Sequence, residues 1–131
     1  MIGLDTNLLV RFITQDDPVQ CEQTDEVMRT LTAASPAWIS LAVLLELVWT
    51  LGRIYRIDKH EIVQILDRLL DRQEFRIEQL DTVHEALTLF RRGKAQFADC
   101  LISASARAAG CSKTVTFDQV AARDAGMELL T

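Results

Sequence analysis

The sequence predicts an α/β fold, a short and mostly parallel sheet of four to five strands with helices on both faces. Three observations lead there. Short apolar runs of strand length recur at Ile2–Leu4, Ala37–Ser40, Phe75–Ile77, Lys113–Phe117 and Met127–Leu130. Segments with helical apolar spacing lie between them. Only five Gly and two Pro punctuate the 131 residues, which suits helices with short connections. A composition of 49% hydrophobic and 25% charged residues is that of a globular chain and excludes wholesale disorder, collagen-like repeats and coiled-coil bias. The length fits one domain, residues 1–131.

The helices have readable starts and stops. Asp17-Pro18-Val19-Gln20 is a capping acid, a Pro at the first helical position and a Gln third in the helix. That helix is expected to run to Ala33 or Ala34, where Ser35-Pro36 breaks it. From Leu41 to Arg56 the chain is apolar almost all round, so this helix is expected to be buried. Asp58-Lys59-His60-Glu61 is a second capping box, with Ile62, Ile65, Leu66 and Leu69 as the stripe that follows. Thr82-Val83-His84-Glu85 opens another helix, closed by Arg91-Arg92-Gly93-Lys94, whose cations suit a helix C-terminus. Asp99 to Ala109 is rich in Ala and Ser, a smooth-faced helix stopped by Gly110. Leu89 and Val63 fall off the main stripes and are expected to leave some apolar surface.

Charge and composition also limit function. The net charge of −5 argues against coating nucleic acid through bulk charge, but not against gripping a few phosphates. No apolar run reaches the roughly 18–20 residues of a membrane span. The start, Met1-Ile2-Gly3-Leu4-Asp5, does not read as a secretory signal. Three Cys without a CxxC spacing disfavour a disulfide framework or a zinc–thiolate site, and a cytoplasmic location is expected.

Ligands of an open α/β sheet bind beyond the strand ends, and four carboxylates stand out for their positions relative to the strands and helices. Asp5 follows the first strand and Asp118 the fourth; Asp99 opens the Ala-rich helix; Glu46 sits within the most apolar helix. Asp5, Asp99 and Asp118 could each be plain N-caps, although Leu8, Ile102 and Ala121 replace the Glu or Gln of a capping box. Glu46, with Ala42, Val43, Trp49 and Thr50 one turn away, needs a partner. Arg53 is one. The alternative is a shared pocket of acids, stable only with a cation or bound protons. Oxygen-only ligands point to Mg²⁺ or Mn²⁺.

These residues resemble a family. Ile2-Gly3-Leu4-Asp5-Thr6-Asn7, Ile39-Ser40 through Leu45-Glu46-Leu47, Phe97-Ala98-Asp99-Cys100-Leu101-Ile102 and Thr116-Phe117-Asp118 are similar, in order and spacing, to the four motifs of PIN domains. At this length the chain is most similar to VapC-type toxins of prokaryotic toxin–antitoxin pairs. The resemblance implies a three-layer α/β/α fold with strand order 3-2-1-4-5. It implies that Asp5, Glu46 and Asp99 hold Mg²⁺, or Mn²⁺, with Asp118 completing the cluster, and that Thr6, Asn7, Ser40 and Thr116 orient those acids. It also implies an endoribonuclease that hydrolyses RNA phosphodiesters, a small antitoxin that inhibits it, and a homodimer. Gln96 departs from the family where many members carry a further acid, and Gln119 where many carry a basic residue.

Arg11, Arg91, Arg92 and Lys94 are the candidates for RNA phosphates, with Arg53 and Arg56 further possibilities; for Arg91–Lys94, complementing the helix dipole is an equal alternative. His60 and His84, the only histidines, sit in first turns and read as surface residues, not as a paired acid and base. Trp38, Trp49 and Tyr55 read as core more readily than as base-stacking platforms. A receiver-like signalling domain would need an Asp after its third strand and a Lys near its fifth; Glu78-Gln79-Leu80-Asp81 and the absence of any Lys after Lys113 disfavour it. A PIN-like module that binds RNA or protein without cutting is the remaining alternative.

Overall fold

The computed structural model describes residues 1–131, which form two compact units, Met1–Glu78 and Gln79–Thr131. The first contains β1 (Ile2–Gly3), α1 (Thr6–Thr14), α2 (Pro18–Thr30), β2 (Ala37–Ile39), α3 (Leu41–Arg53), α4 (Lys59–Asp71) and β3 (Phe75–Ile77). The second contains α5 (Leu80–Arg92), α6 (Phe97–Ala108), β4 (Val115–Thr116), α7 (Gln119–Asp124) and β5 (Glu128–Leu129).

All strand pairs are parallel, as the alternation of strands and helices requires. β2 is the middle of the first ladder, with Ala37 opposite Ile2 and Phe75, and Trp38 opposite Gly3 and Arg76. β4 pairs with β5 in a ladder of its own. The adjacencies 3-2-1 and 4-5 therefore hold, but the continuous order 3-2-1-4-5 does not, because β1 and β4 form no ladder. Both are two residues long and mostly exposed, below the usual strand length that sustains a further row of hydrogen bonds.

The capping acids act where their sequence signature put them. Asp17 Oδ1 accepts the Gln20 N–H at 3.0 Å, and Asp58 Oδ1 accepts that of Glu61 at 2.9 Å. Helix ends moved. α2 stops at Thr30, short of Ala33, because Leu31 is already extended. α3 stops at Arg53, and Arg56 lies in the left-handed region at φ 57°. α5 starts at Leu80, two residues before Thr82, from Gln79 at φ 47°. α6 starts at Phe97 rather than Asp99, and Gly110 at φ 94° ends the segment that follows it. α1 and α7 follow directly on Asp5 and Asp118, in keeping with the N-cap reading of those two acids.

The expectation that α3 is buried all round is corrected. Val43, Leu44, Leu47 and Leu51 are buried, whereas Trp49 is 61% exposed. Val63, expected at the surface, is buried in α4. In the second unit Ala86 and Ala104 are fully buried where α5 packs on α6. The small Ala side chains let two backbones approach, and Phe90 meets Phe97 edge to face at 5.6 Å beside them.

Asp124 ties α7 to the α5–α6 turn. Its Oδ2 accepts the Lys94 N–H at 2.8 Å, and Arg123 donates to both carboxylate oxygens at 2.9 and 3.0 Å. The Arg123 hydrogen bonds and the Lys94 N–H hold its pKa at about 2, below the ordinary 3.8. A depressed acid stabilises the fold above its unfolded pKa and ceases to do so as pH falls through the folded one. Replacing Asp124 by Asn should therefore remove part of the loss of melting temperature between pH 3.8 and about 2; an unaltered acid profile would contradict this role. A Cβ on Gly93 would lie 2.7 Å from Asp124 Cβ, so Gly93→Ala should cost about 1–3 kcal/mol in urea unfolding.

Candidate active site

The site residues fall into two pairs, one in each unit. In the first unit Asp5 caps α1, its Oδ1 accepting the Thr6 N–H at 2.7 Å. The Thr6 hydroxyl then donates to Glu46 Oε1 at 3.2 Å, across 40 residues of sequence. Thr6 is buried, so a fixed residue holds both carboxylates at the start of one helix. Ser40 Oγ accepts the Val43 N–H at 3.2 Å and caps α3, the helix that carries Glu46. Glu78 Oε1 accepts the neighbouring Leu41 N–H at 2.8 Å. This second cap was missed; its only sequence signal is an acid directly after a strand.

Glu46 itself is exposed, which corrects the expectation of a carboxylate surrounded by apolar side chains. Ala42, Glu46, Trp49 and Arg53 form the outer stripe of α3 at helical spacing. No ion pair joins Glu46 to Arg53. A cleft of about 350 Å³ opens beside Glu46, lined also by Asp5, Thr6, Asn7, Arg11 and Tyr55. Asn7 is exposed on the first turn of α1, and its side chain makes no hydrogen bond to Asp5 or Glu46.

Arg11 is held at the edge of that cleft. Its Nη1 donates to Tyr55 Oη at 3.1 Å and to Asp16 Oδ1 at 3.2 Å, and its Nε donates to Gln20 Oε1 at 2.6 Å. Tyr55 in turn donates to Asp16 Oδ2 at 2.8 Å, and Thr14 to Asp16 Oδ1 at 2.9 Å. The Tyr55 hydrogen bond is the main reason that Arg11 titrates above its ordinary value and Asp16 below its own. Asp16 and Tyr55 were not singled out as site residues, because 39 residues separate them and no motif links them. Tyr55 is not a packed core residue; it links two charges.

In the second unit Asp118 caps α7, its Oδ1 accepting the Ala121 N–H at 2.9 Å, while the Thr116 hydroxyl accepts the Asp118 N–H at 3.0 Å. Asp99 is not an N-cap. Gln96 holds that position, and Asp99 is the third residue of α6. Partial burial pushes the Asp99 pKa up, the charge of Asp118 adds to this, and the Gln96 backbone hydrogen bond opposes it. The two carboxylates therefore share one electrostatic environment. Gln119 is the first residue of α7. Arg91, Arg92 and Lys94 are exposed at the end of α5.

Within neither unit do three or more His, Cys, Asp or Glu side chains stand together as a metal site. Each unit offers two carboxylates; Cys100, next to Asp99 in the sequence, is buried. These carboxylate oxygens, with the Asp99 pKa raised by partial burial and further by the charge of Asp118, fit a hard divalent cation. His60 and His84 are exposed; His60 Nε2 lies 3.3 Å from Gln64 Nε2 on its own helix. No helix is long and apolar enough to cross a membrane.

A family model of the PIN domain matches residues 2–126. A VapC ribonuclease of Aquifex aeolicus (strain VF5) is 25% identical over 115 residues, covering 87% of this chain and 84% of its own.

The raised pKa of Asp99 has a consequence for stability. An acid that binds its proton more tightly when folded destabilises the fold as pH rises from its unfolded to its folded pKa. Asp99→Asn should therefore melt higher than the parent at pH 7 without added metal, and the difference should vanish when the parent is protonated in acid. A lower melting temperature at pH 7 would show that the charge of Asp99 is favourable in the fold.

Proposed function

The chain belongs to the PIN-domain family, and on that footing we propose that it is a metal-dependent endoribonuclease, the toxin of a VapBC-type pair. The observation that carries the reading is the Thr6 link. One buried residue orients Asp5 through its N–H and Glu46 through its hydroxyl, so an exposed, like-charged pair is fixed in place rather than left to separate. A capping role alone accounts for Asp5 but not for Glu46. Asp99 and Asp118 form a second pair of interacting carboxylates, beside which the Thr116 hydroxyl accepts the Asp118 backbone N–H.

In this reading Asp5, Glu46, Asp99 and Asp118 are the ligands of Mg²⁺ or Mn²⁺, which when bound supplies charge neutralisation and Lewis acidity to phosphodiester hydrolysis. Thr6, Ser40 and Thr116 are the groups that aim the acids. Arg11 faces the scissile strand from a fixed position, its guanidinium held by Tyr55, Asp16 and Gln20. Arg91, Arg92 and Lys94 are further phosphate contacts. With two exposed histidines as the only imidazoles, attack by the neighbouring 2′-hydroxyl has no acid–base pair to serve it, and water is the nucleophile. The 3′-oxygen leaves. Control by a small antitoxin, dimerisation and a cytoplasmic setting belong to the same reading; exposed Trp49, Ile54, Ile102 and Phe117 are apolar surface available to a partner or second copy.

Sequencing of RNA ends after incubation with Mg²⁺ tests this directly. Products should carry 5′-phosphate and 3′-hydroxyl ends, excess EDTA should abolish them, and Asp5→Asn should lose at least about a hundredfold in rate, the scale of removing one electrostatic element of a transition state. Mg²⁺ should also raise the melting temperature of the parent and much less that of Asp5→Asn. Cyclic-phosphate ends would refute the hydrolytic mechanism; RNA binding without cleavage would favour a non-catalytic PIN module.

A further inference from the structure

Resting on the nuclease reading, we infer that the groove between α1 and α2 is a subsite for one base of single-stranded RNA, beside the phosphate that meets Asp5 and Glu46. The groove has a volume of about 310 Å³, and Asn7, Leu8, Arg11, Gln20, Gln23 and Val27 line it. Asn7 and Arg11 also line the acid cleft. The two hollows thus adjoin at these two side chains.

The lining chemistry selects the occupant. Leu8 and Val27 are half-buried and give the apolar surface on which a flat ring can rest. Asn7, Gln20 and Gln23 are exposed neutral amides, each able to donate and accept, as reading a base edge requires. No carboxylate lines the groove, so it is not a cation site, and an apolar floor edged by three amides suits a flat ring with a polar edge. Arg11 is its one charged residue and stands at the junction. Its Nε and Nη1 are engaged, and Nη2 has no protein acceptor. Gln20 accepts from Arg11 through Oε1 and keeps its amide N–H groups for a ligand. A strand that leaves the cleft passes its phosphate by Arg11 Nη2 and turns its next base into the groove. Base identity is then read by Gln20 and Gln23, and Asn7 bridges the two hollows.

The experiment uses the intact chain with short fluorescein-labelled homopolymers of A, C, G and U, binding being followed by anisotropy in EDTA. The parent should prefer one homopolymer, and Gln23→Ala should reduce that preference by at least about fivefold, the low end for one amide–base contact, with an unchanged melting temperature. Gln20→Ala should act in the same direction. Arg11→Gln should weaken all four alike and lower the salt slope by about 0.7, the contribution of one phosphate on a single strand. Equal affinity of the parent for all four, or preferences that survive both Gln substitutions, would overturn the subsite. Cleavage of a randomised RNA with Mg²⁺, read in parallel, separates this inference from the reading beneath it. A parent that cuts, and Gln variants with its same base preference beside the cut, overturn the subsite alone. A parent whose binding preference depends on Gln23 but which never cuts overturns the nuclease and leaves the subsite standing.

Discussion

Like charges repel, and the fold of this chain is arranged around acids that it must hold in place. Its solution is the helix N-terminus, where N–H groups lack intrahelical acceptors. Asp5 takes one at α1, Asp118 one at α7, and Asp99 one from Gln96 at α6. The same device used structurally at Asp17 and Asp58 is thus used at candidate site residues, which is why each acid, taken singly, looks like a cap. Glu46 differs. It lies in the middle of α3, out of reach of any free N–H, and only the Thr6 hydroxyl holds it.

The helix starts also explain how the strands serve the site. β1 and β4 are two residues each and contribute little as a sheet, yet each delivers an acid directly into the first turn of the next helix. Short strands followed at once by a capped helix leave no loop in which the carboxylate could wander. The threonines beside these acids are placed by the same economy of chain: Thr6 follows Asp5 and gives it an N–H, and Thr116 precedes Asp118 by two residues and accepts its backbone N–H. Charge is balanced locally as well. Arg11 stands near the acids but is bound by Asp16, so its charge is not spent on Asp5 or Glu46.

Some features were legible because their signals are local. Capping boxes at Asp17 and Asp58, the Gly110 stop and the alternation that makes the sheet parallel depend on residues within a few positions of one another. The errors share a cause. Leu41–Arg56 was read as buried all round because Ala42 and Trp49 are apolar by type, although Ala42, Glu46, Trp49 and Arg53 make a stripe that leaves the helix a clear outer face. Residue type outweighed spacing there. Asp99 was placed at the start of its helix because acids cap helices, whereas the chain begins α6 two residues earlier and uses Asp99 in the third position.

The sequence by itself determined the α/β class and the family, because each rests on short-range pattern and order along the chain. The tertiary structure decided what long-range approach alone can decide. It joined Thr6 to Glu46 across 40 residues and Arg11 to Tyr55 across 44. It split the expected sheet into two ladders, β1-β2-β3 and β4-β5. It also set the proton affinity of Asp99, which depends on partial burial and the nearby charge of Asp118. Hydrogen bonds and Coulomb interactions act over a few ångströms of space, and spacing along the chain does not encode which distant residues come within that reach.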